Sequence, residues 1–182
     1  MHRVRKRGPG GWALEDILTQ LLRLLLAFLA GSVMGWERER YLQEAGHVRG
    51  AGFRTYTLVC FGSAIFAIAS IYGFKATGAT VDPGRVAAQV VTGIGFLGAG
   101  TILKDRGSVR GLTTAAGLWV AAGIGLMIGA GMYVPGLAAA LLAYLALALH
   151  RMFPGLSVFR DKYGRKEFHL HRGHEVERET DI

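Results

Sequence analysis

The sequence predicts an all-α polytopic membrane protein, with five transmembrane helices followed by a short polar C-terminal tail. Three observations carry that reading. The 21 basic and 13 acidic residues are segregated, and residues 24–36, 55–74, 86–103 and 111–150 contain no Asp, Glu, Lys or Arg. A helix needs about 20 mostly apolar residues to cross a bilayer, and these stretches supply spans of that order. Basic residues flank them at Arg38, Arg40, Arg54, Lys104, Arg106 and Arg110, where they meet lipid headgroups and set orientation. A soluble chain of 182 residues spreads charge over every exposed face. A two-domain soluble enzyme, a DNA-binding module and a secreted disulfide scaffold are therefore excluded. The net charge of +8 belongs to the membrane surface and not to nucleic acid. Cys60, the only cysteine, lies in an apolar run and reads as a small packing residue.

Each element follows from its residues. Residues 1–16 form a basic N-terminal tail. Span one covers 17–36 and is interrupted by Arg23, which is expected to snorkel toward Glu15 and Asp16. Those three charges also break the pattern of a cleaved signal peptide. Span two covers 55–72. Span three, 86–103, opens at Asp82-Pro83-Gly84, an aspartate N-cap followed by proline at the first helical position. The 40-residue run 111–150 is too long for one crossing. The segment Gly129-Ala130-Gly131-Met132-Tyr133-Val134-Pro135-Gly136 divides it into 112–128 and 133–149. Connections of about 18, 13, 8 and 4 residues follow. The membrane domain is thus 17–150. Residues 151–182 form a polar tail whose His169, His171, His174 and Glu175 read as solvated side chains rather than a metal site.

Spans two to five lack Asp, Glu, Lys and Arg altogether, although intramembrane chemistry and ion coupling usually require ionisable groups there. There is no HExxH pair, no serine–histidine constellation and no Walker A sequence. The chain is expected to be no enzyme and to hold no cofactor and no metal. Gly93, Gly95 and Gly98 spell GxGxxG, but no strand precedes them and no βαβ unit contains them. They read as helix-packing glycines. In span four, Thr113, Gly117, Ala121, Gly125 and Gly129 recur every four residues on one helix face. That face is expected to pack against span three or five, or against a second copy. The candidate functional residues are Glu37, Arg38, Glu39, Arg54, Asp82, Arg85, Gln89, Thr113 and Thr114, which gather at span ends. Interfacial ion pairs are the plain expectation for them. Glu37 and Glu39 are too crowded by arginine to form a magnesium site.

Five phrases together resemble the MgtC/SapB family of bacterial inner-membrane proteins, in that family's order and spacing. They are Gly35-Trp36-Glu37-Arg38-Glu39, Ala51-Gly52-Phe53-Arg54-Thr55, Asp82-Pro83-Gly84-Arg85-Val86-Ala87-Ala88-Gln89-Val90-Val91, Gly93-Ile94-Gly95-Phe96-Leu97-Gly98-Ala99-Gly100 and Val109-Arg110-Gly111-Leu112-Thr113-Thr114-Ala115-Ala116-Gly117-Leu118-Trp119. The resemblance implies a multi-pass protein of the inner membrane linked to magnesium homeostasis and growth in low magnesium. In pathogens it implies survival inside macrophages. It further implies regulation of other membrane proteins, including the ATP synthase, rather than magnesium transport itself. The 41–50 connection is longer than the family's usual form. The tail of about 30 residues is shorter than the ~50 a compact regulatory domain needs.

The expected function is therefore that of a non-enzymatic membrane regulator, with the lipid bilayer, other inner-membrane proteins and a second copy as candidate partners. A small oligomeric channel or transporter for magnesium or another ion is the alternative. With the loops after spans one and three and the C-terminal tail on one side, that side holds twelve near-membrane basic residues. They are Arg38, Arg40, Arg49, Arg54, Lys104, Arg106, Arg110, Arg151, Arg160, Lys162, Arg165 and Lys166. The other side holds six, Arg3, Arg5, Lys6, Arg7, Lys75 and Arg85. The asymmetry predicts an N-out, C-in topology. A fluorescent protein fused after Asp161 should fluoresce; an active alkaline phosphatase at that position would reverse the assignment.

Overall fold

The computed structural model describes residues 14–44, 50–73, 82, 84–105 and 108–152. Residues 1–13 and 153–182, the bulk of the two tails, lie outside the described residues, while 14–16 belong to the first helix and 151–152 to the last. Met1–Tyr144 and Leu145–Ile182 are separate compact units, and the packing below belongs to the first. In order the elements are α1 (Leu14–Glu44), α2 (Phe53–Ile68) continued by a π-helical turn (Ala69–Gly73), and α3 (Gly84–Gly100). A hairpin of β1 (Leu103–Asp105) and β2 (Ser108–Arg110) follows, then α4 (Leu112–Gly129) and α5 (Tyr133–Met152). This is a mostly helical membrane protein. Three helical segments, Leu14–Glu44, Phe53–Gly73 and Leu112–Gly129, are long and apolar enough to cross a bilayer.

Several boundaries differ from the sequence expectation, each for a local reason. Span one does not stop at Trp36. The helix continues through Glu-Arg-Glu-Arg, all good helix formers, to Glu44. With 31 residues it is about 46 Å long, against roughly 30 Å of hydrocarbon. The first connection is therefore 45–52 rather than about 18 residues. The antiparallel hairpin pairs Leu103 with Arg110 and Lys104 with Val109. Strands of three residues are too short to show alternation in sequence. The hairpin takes Leu103 away from span three, so α3 ends at Gly100. Its start follows the expected cap, with the Asp82 Oδ1 accepting the Gly84 N–H at 2.8 Å.

The break after α4 falls where the glycines placed it. Gly131 has φ of +88°, its N–H donates to the Ile128 carbonyl at 3.0 Å, and the Met132 N–H donates to the Met127 carbonyl at 2.9 Å. These two bonds make a Schellman termination, which favours glycine at the left-handed position.

The core is the packing of α1, α2 and α4. Small residues face inward: Ala27, Ala30, Cys60, Ala64, Ala121 and Ala122 are buried, while Leu58, Phe66, Phe96, Val134 and Leu142 point outward. This is the membrane arrangement, in which close backbone approach replaces the hydrophobic drive between helices. The span-four stripe does pack within the chain, but against α2 rather than span three or five. Gly117 lies against the Tyr56 ring, Gly125 against the Cys60 carbonyl, and a Cβ on Gly129 would come 2.8 Å from the Ala67 Cβ. On α1, Gly31 and Gly35 approach α2 in the same way, with Cβ positions 2.8 Å from the Cys60 Cβ and from the Phe53 Cα.

Thr113 is exposed and Thr114 is buried, so the stripe does not extend to Thr113. A four-residue step overshoots a turn by about 40°, and the drift carries Thr113 off the face that Gly117, Gly125 and Gly129 share. Of the GxGxxG glycines only Gly98 meets a neighbouring helix, 3.6 Å from the Ala115 Cβ. Gly93 and Gly95 have nothing within 4 Å of a would-be Cβ, so they are not packing glycines within this chain.

Gly125→Leu should push α4 off α2 and lower stability in detergent by about 1–3 kcal/mol or more. Gly123→Ala should be neutral, because a Cβ there meets nothing within 4 Å. Equal melting temperatures for wild type and Gly125→Leu would show that the two helices do not touch.

Candidate functional site

At one end of the core, α1, α2 and α4 meet at a buried polar junction. Helix α1 contributes Glu37 and Arg38, only 3% and 8% exposed. An exposed position at the membrane surface is the sequence expectation for both; instead they turn inward. The Arg38 Nη2 donates to the Thr114 Oγ1 at 2.7 Å, and its guanidinium lies 4.9 Å from the centre of the Tyr41 ring. The Tyr56 hydroxyl of α2 donates to the Thr114 carbonyl at 3.3 Å. Thr114 thus takes Arg38 on its side chain and Tyr56 on its backbone.

Local backbone geometry places each of these groups. Gly111 caps α4 with φ of +89°, and a Cβ there would strike the Thr101 carbonyl. Only glycine makes that turn without strain, and it sets Thr114 in the first turn of α4. Gly117, one turn on, leaves room for the Tyr56 hydroxyl. Glu39 acts from the neighbouring face. Its Oε2 accepts the Phe53 N–H at 2.9 Å and so caps α2, whose Gly52 offers no side-chain cap. Below the junction, the Ser32 and Thr57 hydroxyls meet at 3.2 Å, while Thr57 also donates to the Phe53 carbonyl at 2.7 Å.

Burying a guanidinium costs several kcal/mol unless its donors are met. Here a hydroxyl and an aromatic face meet part of the demand. The Arg38 Nε is buried with no hydrogen-bond partner among the described residues.

A second arginine closes the opposite end. The Arg23 Nε donates to the Tyr133 hydroxyl and its Nη1 to the Gly129 carbonyl, both at 3.0 Å. The guanidinium lies 5.4 Å from the Tyr72 ring and 5.8 Å from the Tyr133 ring. Arg23 therefore sits at a helix interface and does not snorkel toward Glu15 and Asp16. The last carbonyls of α4 carry partial negative charge, and two tyrosines shield the cation.

Of the nine candidates, Glu37, Arg38, Glu39 and Thr114 come together at the junction. Arg54, Arg85 and Gln89 line a separate groove between α2 and α3. Asp82 caps α3, and Thr113 is exposed. Sequence reasoning missed Tyr56, Tyr72 and Tyr133. The signal was present, since a tyrosine inside an apolar span must place its hydroxyl on a partner.

The model of the MgtC family matches residues 24–155, a stretch that contains the whole junction. The chain belongs to the MgtC family. Among its relatives, the putative magnesium transporter YhiD of Escherichia coli is 45% identical over 131 residues, covering 70% of this chain and 58% of YhiD. Protein MgtC of Salmonella typhimurium is 44% identical over 131 residues, covering 72% of this chain and 52% of that protein. The chain thus spans about half to six-tenths of the length of these MgtC-family relatives. No solved structure matches.

Within the MgtC-family fold, Thr114→Val should remove the acceptor for Arg38 and cost about 1–3 kcal/mol. Thr114→Ser should retain most of it. Thermal unfolding in detergent tests this: a Val variant as stable as wild type would mean that Arg38 does not depend on Thr114.

Proposed function

We propose that this MgtC-family chain is a non-enzymatic regulator of other bacterial inner-membrane proteins that acts when magnesium is scarce. The observation that carries the reading is the closed packing of α1, α2 and α4, in which Gly125 meets the Cys60 carbonyl and Gly129 meets Ala64. A single chain packed backbone to backbone along its centre has little room for a conduit there. The two arginines held between its helices, Arg23 and Arg38, are spent on α4 and α5 rather than on a solute path. What the chain offers to others is its apolar exterior, suited to helix–helix contact with membrane partners. By the family resemblance the ATP synthase is the partner to try first.

The reading includes five membrane crossings with the N-terminus outside. The clustering of α1's last turns, α2's start and the hairpin at one end supports it, because Arg38, Arg40, Arg54, Lys104 and Arg110 then share one side.

A second reading has one specific support, the name of the E. coli relative as a putative magnesium transporter. A carrier or channel would need several copies to build its path. Liposomes containing only this protein separate the two readings. The regulator predicts no magnesium flux above empty liposomes, together with membrane proteins co-purifying from low-magnesium cells under mild solubilisation. Flux that scales with protein density, without any co-purifying protein, would overturn it.

A further inference from the structure

Helices α2 and α3 do not close on each other. Between them lies a groove of about 780 Å³ whose wall is almost wholly apolar, with Arg54 and Leu58 on α2 and Arg85, Gln89 and Leu97 on α3. The helices run in opposite directions. Gly98, near the end of α3, lies against Ala115 at the start of α4, and Tyr56, near the start of α2, bonds Thr114 there. Arg54 and Leu97 therefore mark one end of the groove and Arg85 the other. The thirteen residues from Arg85 to Leu97 span about 18 Å along the helix axis.

We propose that this groove retains one anionic phospholipid, its phosphate on Arg85 and Gln89 and an acyl chain along the apolar floor. Arg85 and Gln89 are exposed and stand one turn apart on the same face of α3. A guanidinium fork matches two phosphate oxygens, and the amide supplies a further donor. The Arg54 end adds only the Thr55 hydroxyl to its arginine. Each end also has one carboxylate, Asp82 or Glu39, already engaged with a backbone N–H. Gly62 and Gly93 line the floor, and a Cβ at either meets nothing within 4 Å, which leaves width for a chain. The Asp82 carboxylate is engaged with the Gly84 N–H while the Arg85 guanidinium is exposed, so it is the cation that meets the headgroup, which favours phosphatidylglycerol over the zwitterionic phosphatidylcholine.

The full-length protein, purified in detergent and exchanged against an equal mixture of these two lipids, is read by native mass spectrometry. One phosphatidylglycerol should be retained. Arg85→Gln should reduce that retention roughly tenfold, the worth of one charge-assisted contact, and Arg54→Gln should not. Gly93→Leu should also abolish retention while leaving the melting temperature unchanged, since it fills the groove without meeting the backbone. Equal retention of both lipids, insensitive to these variants, would reduce the groove to ordinary annular lipid and overturn the proposal. Displacement by inorganic phosphate alone would reassign the site to a free anion. A protein helix cross-linking to a cysteine at Leu97 in native membranes would reassign it to a membrane partner.

Discussion

The contact on which the rest of the structure depends is the close approach of α4 to α2, to its backbone at Gly125 and Gly129 and to the Tyr56 ring at Gly117. In a bilayer no hydrophobic force drives two helices together, so association comes from close packing and from polar contacts that close packing permits. A side chain at Gly117 would push the Tyr56 hydroxyl away from Thr114. Bulk at Gly129 would move the carbonyl that receives Arg23. The polar contacts are thus consequences of the glycine face, not alternatives to it.

Helix α1 uses that geometry as a strap. Arg38 holds the first turn of α4 through Thr114, and Arg23 holds its last turn through the Gly129 carbonyl. The two arginines are fifteen residues apart, about 22 Å along a helix, which is less than the hydrocarbon thickness of about 30 Å. Both guanidiniums are covered by tyrosine rings, which soften the cost of a cation at that depth. Each arginine meets an α4 terminus with a matching group: a hydroxyl at the first turn, and the partial negative charge of the carbonyls at the last.

Much of this was legible in the sequence because membrane physics writes it plainly. The charge-free runs located the helices, and the glycine-rich segment at 129–136 located the α4–α5 turn. The four-residue recurrence identified the α4 packing face. What the sequence concealed was partner choice. A stripe of small residues states that something comes close, without saying which helix, and the answer was α2. Charge misled twice, at Glu37-Arg38 and at Arg23, because a charged residue near a span end looks the same whether it faces headgroups or a neighbouring helix. The tyrosines would have separated the cases: Tyr56, Tyr72 and Tyr133 needed partners, and two of those partners are tied to the arginines.

This allocation of residues bears on function. Arg23 and Arg38 are committed to holding α4 in place, and the contact of α4 with α2 is closed by glycines. The unassigned chemistry lies on the outside, along α3, where Phe96 is 82% exposed and Gly93 and Gly95 have open space above them. Glycine costs helix stability of about 0.8–1 kcal/mol per residue relative to alanine. Inside the α2–α4 contact that cost is offset by packing. On α3 nothing within the chain offsets it. At Gly93, which lines the α2–α3 groove, the proposed lipid would use the room that the missing side chain leaves.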